Sequence, residues 1–196
     1  MIHYLQKAFE TDTKVRSVAR VQHDGVAWQV DGFKVEVKEF DEGYIYEEDD
    51  VRVIPFKVPH HKGSDVPSYG YRVEYNGYCV VISGDTSYSE NLIKYSEGVD
   101  LLIHEVATAP LDEEIPEGIE FVLSYHTLPE ECGRIFSKVH PKLAVYNHIL
   151  LFMGVSLDEV LERTRSVYDG PVIVGEDMMQ IQIGETVQVI NRRDLS

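Results

Sequence analysis

Two histidines and one aspartate follow apolar segments of this chain at positions where strands would end. His60 comes after VRVIPFKVP, Asp85 after VVISG and His148 after LAVYN. Side chains at the carboxyl ends of strands in an open α/β sheet meet at one edge, and rigid strands hold them at fixed positions there. Two imidazoles and a carboxylate suit zinc or a similar divalent ion, and Asp85 could bridge two ions. The pattern therefore predicts a metal-dependent hydrolytic centre.

Each of these residues also has an ordinary structural interpretation. A single histidine after a strand is more often a surface or capping residue, and Gly84-Asp85 is a common kind of turn. The metal interpretation is favoured because all three residues stand at the ends of predicted buried strands.

A second pair of residues could act beside such a centre. His126 lies in LSYHTLPEE, just before a predicted helix, where it could pack against the helix terminus or protonate an oxyanion near the metal. Glu105 follows His104 inside an apolar strand, where an unpaired charge would be costly. We therefore expect His104 and Glu105 to orient metal ligands or His126.

The elements that must position these residues are predicted from apolar periodicity and turn signals. Helices are predicted over 2–10 and 89–97. Two further helices are predicted to begin at capping boxes, Thr127–Glu130 and Ser156–Glu159. Residues 11–25 and 107–122 are predicted to be irregular. The predicted strands are 26–40 (one or two, with a turn at Asp31-Gly32), 51–58, a tight hairpin around Asn76-Gly77, 99–106, 143–147, 172–174, 178–183 and 186–190. Strands come first and helices then alternate with strands, which indicates a layered α/β domain.

Composition limits the classes of function that fit this chain. Its 196 residues suit one domain, and a formal net charge of −16 makes a broad nucleic-acid-binding face unfavourable. A local site could still process one phosphate or sulfate ester if bound metal ions reverse the charge there. The sequence contains no apolar segment long enough for a bilayer, and its N-terminus lacks the apolar centre of a signal peptide. We expect a cytoplasmic protein in which Cys79 and Cys132 are buried, reduced thiols.

Six short motifs in this order resemble the C-terminal half of metallo-β-lactamase-fold hydrolases, most closely the branch of ribonuclease Z and the arylsulfatase/phosphodiesterase-like proteins. The motifs, which extend over most of the chain, are VPH at 58–60, YGYRV at 69–73, VVISGDT at 80–86, DLLIHE at 100–105, YHT at 125–127 and NH at 147–148. The resemblance implies a four-layer αβ/βα sandwich, of which this chain would form the C-terminal half.

The resemblance also implies a role for each candidate residue. His60, Asp85 and His148 match metal ligands of the family, and Asp85 matches its bridging aspartate. His126 matches the histidine that assists at the scissile phosphate, and Glu105 the glutamate that interacts with it. A hydroxide bound to two divalent ions, zinc above all and otherwise manganese or iron, would attack a phosphodiester, a sulfate or a related ester.

The chain departs from the family because it contains no HxHxDH motif, which supplies further ligands in the N-terminal half. We therefore expect residues 1–196 to be a truncated part of the domain that is inactive or weakly active alone and pairs with an N-terminal half or a second copy. A sheet face that the missing half would cover should be exposed. The tight hairpin replaces an insertion that contacts tRNA in the tRNA-processing members, so a small ester is favoured over tRNA. The alternative is a non-catalytic remnant or interaction module.

Overall fold

The computed structural model describes residues 2–24, 37–60 and 66–190 and consists of two compact units, residues 1–40 and 41–196. The helices are α1 (Ile2–Asp24), α2 (Glu90–Tyr95), α3 (Glu117–Leu123), α4 (Pro129–Val139) and α5 (Leu157–Arg165). The strands are β1 (Tyr46–Glu48), β2 (Val51–Val58), β3 (Ser68–Tyr75), β4 (Tyr78–Ile82), β5 (Leu101–Thr108), β6 (Leu143–Leu151), β7 (Val172–Val174), β8 (Gln180–Ile183) and β9 (Val187–Ile190).

The first unit contains α1, which is longer than the sequence predicted. The helix has 23 residues, so the prediction of an irregular segment over 11–25 was wrong. Two ion pairs with i,i+4 spacing join Lys14 to Glu10 and Arg16 to Asp12, and pairs of this kind support a helix that has little apolar periodicity. The predicted strands within 26–40 fall mostly on 25–36, which lie outside the described residues, and residues 37–40 form no strand.

The second unit is built on a sheet with the strand order β1-β2-β3-β4-β5-β6-β7. Strands β1 to β4 pair antiparallel, and β4 to β7 pair parallel. The predicted hairpin is confirmed, because Asn76 and Gly77 take φ angles of 51° and 80° between the paired residues Tyr75 and Tyr78. Parallel pairing brings the carboxyl ends of β4, β5 and β6 to one edge, where the sequence predicted the site.

Helices α2, α4 and α5 cover one face of this sheet and form the main core with it. The largest fully buried side chains of this core include Phe56, Leu92, Phe136 and Tyr146. On the other face, Leu101, Leu143 and Val145 pack against isoleucine and valine side chains of β8 and β9. The predicted layered α/β architecture is therefore confirmed.

The expected exposed sheet face is only partly uncovered in the described residues. The β8–β9 hairpin packs over the end of the sheet formed by β4 to β7. Towards β2 and β3, Val53, Tyr71 and Val73 lie half-buried. They belong to the same face as the covered residues, since Val53 pairs with Val73 and Val73 with Val80.

Two predictions about local structure around the site were wrong. The segment 107–122 is not wholly irregular, because β5 extends to Thr108 and α3 begins at Glu117. Thr127 does not cap α4; its hydroxyl donates to the carbonyl of Thr86 at 2.6 Å. The second predicted cap is confirmed, because Ser156 Oγ accepts the backbone N–H of Glu159 at 3.2 Å.

The state of the two cysteines and the hydropathy of the helices can also be described. Cys79 and Cys132 are buried free thiols, as predicted. Within the residues that the structure describes, none of the helices is both long and apolar enough to cross a bilayer.

Candidate metal centre

Three loops meet at the carboxyl edge of the sheet and are joined by hydrogen bonds to each other. The carbonyl of Pro59, next to His60, accepts the backbone N–H of Ser87 at 2.8 Å. The carbonyl of Thr86, next to Asp85, accepts the hydroxyl of Thr127. These bonds hold the loops after β2, after β4 and before α4 in one fixed arrangement.

Gly84 makes the sharp turn that places Asp85 beyond the end of β4. Its φ of +61° belongs to the left-handed region, and a Cβ on it would lie 2.4 Å from the carbonyl oxygen of Tyr69. The predicted turn at this glycine is confirmed. The Asp85 side chain is 41% exposed, so its carboxylate remains accessible to an ion.

A bulge in the pairing of β5 with β6 places Glu105 opposite His148. His104 pairs with Tyr146 and Val106 pairs with Ile149, so one residue of β5 faces two residues of β6. His148 takes a φ of +42°, which is uncommon for a residue other than glycine. The predicted strand 143–147 therefore continues through His148 to Leu151 instead of ending before it. Bulges of this kind re-aim side chains and are frequent beside active sites.

Glu105 and His126 form a buried pair at the centre of the site. Oε2 of Glu105 lies 2.9 Å from Nδ1 of His126, and Oε1 accepts the backbone N–H of Thr127 at 2.7 Å. Glu105 is 1% exposed and His126 is 7% exposed. Burial raises the pKa of Glu105 to about 8, against the opposing effect of the Thr127 hydrogen bond. The contact between Oε2 and Nδ1 is a hydrogen bond and therefore contains one hydrogen, which either group can carry.

His60 is oriented by a backbone carbonyl. Its Nδ1 lies 3.1 Å from the carbonyl oxygen of Tyr125, and because a carbonyl only accepts, Nδ1 carries the hydrogen. The neutral ring then has its lone pair on Nε2, which is the usual arrangement of a metal-binding histidine. The ring of His126 lies next to both other histidines, with its centroid 5.1 Å from that of His60 and 5.6 Å from that of His148.

The donor set fits a divalent ion. Oδ2 of Asp85 lies 3.6 Å from Nε2 of His148, close to the separation of about 3.4 Å between an oxygen and a nitrogen on one tetrahedral zinc. A second combination also converges, because ligand atoms of Glu105, His126 and His148 lie within 4.8 Å of one another. Both oxygens of Glu105 are already engaged, however, by Thr127 and His126.

The structure thus collects all five sequence-predicted residues at one edge of the sheet. His126, Glu105 and His148 converge most closely. Asp85 adjoins this group through His148, and His60 adjoins it through His126.

Sequence reasoning missed the backbone groups and hydroxyls that hold these side chains. Ser83 Oγ accepts the backbone N–H of Glu105 at 3.1 Å, and Thr127 contributes both its N–H and its hydroxyl. The motifs VVISGDT and YHT contain both residues, but nothing in their spacing shows which contacts they make.

Comparison with known proteins identifies the family. A family model described as a β-lactamase superfamily domain matches residues 6–149, which is more than half of the chain. Ribonuclease Z of Mycolicibacterium gilvum (strain PYR-GCK) is 26% identical over 153 residues, covering 76% of this chain and 52% of that protein. Ribonuclease Z of Mycobacterium tuberculosis (strain ATCC 25177 / H37Ra) is 24% identical over 151 residues, covering 76% of this chain and 55% of that protein. The chain therefore spans about half the length of these curated relatives.

Solved structures show the same fold. The metallo-β-lactamase fold protein YhfI from Bacillus subtilis superimposes with a TM-score of 0.57 at 23% identity, over 70% of this chain and 52% of that chain. Igni18, a metallo hydrolase from Ignicoccus hospitalis, superimposes with a TM-score of 0.54 at 14% identity, over 78% of this chain and 60% of that chain. The resemblance predicted from the six motifs is confirmed, and the fold corresponds to part of the length of these neighbours. The chain belongs to the metallo-β-lactamase superfamily.

Proposed function

We propose that this chain is part of a metal-dependent hydrolase that cleaves phosphodiester, sulfate or related ester bonds at the carboxyl edge of its sheet. The observation that carries this proposal is the buried Glu105–His126 pair, with 2.9 Å between Oε2 and Nδ1, beside the ring of His148. A histidine held in this way can transfer a proton at its other nitrogen. Superfamily membership and the names of the ribonuclease Z relatives support the same chemistry.

His60, Asp85 and His148 would hold the metal. Divalent ions bound there would activate a water molecule and stabilise the negative charge that develops on the phosphate. The carbonyl of Tyr125 keeps Nε2 of His60 in the ligating form, and the bulge turns His148 towards Asp85. Imidazole and carboxylate ligands suit zinc best, and manganese or iron could bind to the same ligands.

His126 and Glu105 would supply the proton that the leaving group needs. Glu105 holds Nδ1 of His126, which directs Nε2 towards the reacting atoms and stabilises the imidazole when it is protonated. Thr127 fixes the other oxygen of Glu105, so the carboxylate cannot rotate away. The pair would donate a proton to the departing oxygen and so lower the barrier to cleavage.

The charge around the site favours a small phosphodiester or sulfate ester over tRNA. Exposed acidic side chains occupy the segment between β5 and His126, namely Asp112, Glu113, Glu114, Glu117 and Glu120. A cavity of about 410 Å³ beside His148 is lined by Glu176, Asp177 and apolar side chains. The sugar–phosphate backbone of tRNA would be repelled by this surface, whereas one ester group can bind where the metal charge dominates. The relatives named ribonuclease Z make RNA the substrate to test against this proposal.

The catalytic unit would include residues beyond those of this chain. We assign residues 1–196 to the C-terminal part of a metallo-β-lactamase domain, with an HxHxDH segment supplied by an N-terminal half or a partner chain. The match covers about half the length of the ribonuclease Z relatives, which supports a division of the domain into two parts. The buried free thiols Cys79 and Cys132 fit a reducing compartment, so we place the protein in the cytoplasm.

A non-catalytic interaction module is the alternative function. It is favoured by the half-buried apolar side chains of Val53, Tyr71 and Val73, which another polypeptide could cover. Under this alternative the chain would bind its partner with no dependence on metal.

Hydrolysis of bis(p-nitrophenyl) phosphate in the presence of zinc tests the proposal. The chain is assayed alone and with an added segment that carries HxHxDH, in wild-type form and as Asp85→Ala. We expect hydrolysis in the completed protein, little in the chain alone, and a loss of at least about a hundredfold in Asp85→Ala. Asp169→Ala, which changes an exposed aspartate after α5, is the matched control and should retain full activity.

Three outcomes would overturn the proposal or one of its parts. A completed protein that binds zinc but hydrolyses neither phosphodiesters nor sulfate esters would exclude the hydrolase and favour the interaction module. Full activity in Asp85→Ala would exclude the metal role of this carboxylate. Faster cleavage of a precursor tRNA than of small esters would replace the small-ester substrate by RNA.

A further inference from the structure

His104 is a buried imidazole for which packing alone gives no reason. Its side chain is fully buried, and among the described residues its Nε2 has no hydrogen-bond partner. Burial lowers the pKa of His104 to about 4, so the ring is neutral. A buried polar atom without a partner costs about 1–3 kcal/mol, a cost that an apolar side chain at this position would avoid.

The other nitrogen of His104 makes a short hydrogen bond behind the site. Nδ1 lies 2.6 Å from the backbone carbonyl oxygen of Glu105, so Nδ1 carries the hydrogen and donates it. The thiol of Cys132 lies 3.6 Å from the same oxygen. The ring packs edge-on against Phe136, with 5.8 Å between the centroids, which fixes its orientation.

This hydrogen bond acts on the residue at the bulge. Regular pairing of β5 with β6 is interrupted between His104 and Val106, so the ladder constrains the intervening peptide less than elsewhere in the sheet. His104 holds the carbonyl of Glu105, while Ser83 Oγ holds its N–H at 3.1 Å. With both backbone groups held, the Cα–Cβ bond of Glu105 has a fixed direction, from which the carboxylate reaches Thr127 and His126.

We propose that His104 is a positioning residue, which donates its Nδ1 hydrogen to the Glu105 carbonyl and thereby aims the Glu105 carboxylate at Nδ1 of His126. The proposal rests on the proposed function for its effect on catalysis. Its structural part, the control of the Glu105–His126 bond, can be measured without activity. His104 itself has no role at the reacting atoms, because it lies on the core side of β5 against Phe136 and Cys132.

Three substitutions separate positioning from packing. In His104→Asn the side-chain amide reaches the place of Nδ1 and can still donate to the Glu105 carbonyl. In His104→Gln the amide reaches the place of Nε2 and loses this bond, although the chemistry of the group is the same. His104→Leu has no donor and removes the unpaired nitrogen as well.

The readouts are the ¹⁵N and proton NMR signals of the His126 imidazole in the 196-residue chain, its thermal unfolding, and kcat and KM of the completed protein. We expect His104→Asn to retain the wild-type signal of the proton between Glu105 and His126. His104→Leu and His104→Gln should lose that signal, and His104→Leu should unfold no earlier than wild type. In the completed protein, His104→Leu and His104→Gln should lower kcat on the order of tenfold to a hundredfold with KM little changed. The kcat of His104→Asn should stay within a few-fold of the wild-type value.

Two results would overturn the proposal. One is a wild-type His126 signal in His104→Leu or His104→Gln; the other is a His104→Asn variant as impaired as His104→Gln. If His104→Leu does not fold, the comparison of Asn with Gln decides alone, since the two differ only in reach. If the completed wild-type protein has no activity, the proposed function fails, and the NMR comparison still decides whether His104 positions Glu105.

Discussion

Replacement of Glu105 by glutamine should change how the stability of this protein depends on pH. Glu105 is 1% exposed, and burial raises the pKa of its carboxyl group from 4.5 to about 8. The folded chain therefore binds this proton more tightly than the unfolded chain does. The stability that goes with the protonated carboxyl is fully present below the ordinary pKa and is lost as the pH rises towards about 8.

The size of this effect follows from the shift. Each pH unit between the two pKa values corresponds to about 1.4 kcal/mol, so a rise from 4.5 to about 8 amounts to about 5 kcal/mol in the free energy of unfolding. Glutamine is neutral at every pH and keeps an oxygen that can accept the Thr127 N–H. Glu105→Gln should therefore lack this pH dependence and should be the more stable form above neutral pH.

Urea unfolding followed by circular dichroism, with a chelator and constant ionic strength from about pH 4 to pH 9, measures the difference between wild type and Glu105→Gln. We expect the wild-type stability to fall relative to the variant by about 5 kcal/mol across this range. Glu113→Gln, at an exposed position, is the matched control and should follow wild type at every pH. A difference that stays constant with pH, or that changes in favour of wild type as pH rises, would refute the reasoning.

Three further predictions concern His104 and Gly84 beside the site and a buried ion pair between α4 and α5. Burial lowers the pKa of His104 from 6.5 to about 4, so wild-type stability should fall by about 3 kcal/mol as pH drops through this interval, and urea unfolding of His104→Asn should show no such loss. Gly84→Ala should lower the free energy of unfolding, measured in urea, by more than about 2 kcal/mol, because its Cβ would lie 2.4 Å from a backbone oxygen of β3. Gly98→Ala, also at positive φ but with nothing within 4 Å, is the control and should cost about 1 kcal/mol in the same assay. Arg163 is 8% exposed and donates two hydrogen bonds to Glu130, so Arg163→Ala should lower the free energy of unfolding by about 3–5 kcal/mol. In a double-mutant cycle, adding Glu130→Ala to Arg163→Ala should cause a much smaller further loss of stability. Simple additivity of the two losses would contradict the pairing.

The sequence predicted those parts of the fold that depend on local pattern. Alternation and turn residues indicated the hairpin at Asn76-Gly77, and continuous apolar segments indicated β5 and most of β6. Most of α1 was not predicted, because ion pairs such as Lys14–Glu10 support a helix without apolar periodicity.

The candidate site could be predicted in its residue types but not in its contacts. The bulge that sets Glu105 opposite His148 depends on the register of two strands that are far apart in sequence. Thr127 stands where a helix cap is usual, yet its hydroxyl donates to the carbonyl of Thr86. The tertiary fold places this carbonyl within reach, and the hydroxyl binds it instead of capping the helix. Neither outcome is encoded in a short window of residues.

Zinc anomalous scattering from crystals of the 196-residue chain grown with millimolar zinc tests the central claim most directly. The site should give a peak within bonding distance of Asp85 and His148, with His60 as the third ligand, and Asp85→Ala should remove it. Glu105 should remain bound to Thr127 and His126 in the same maps. A peak ligated by Glu105 and His126, or an empty site at saturating zinc, would contradict the assignment of the metal centre.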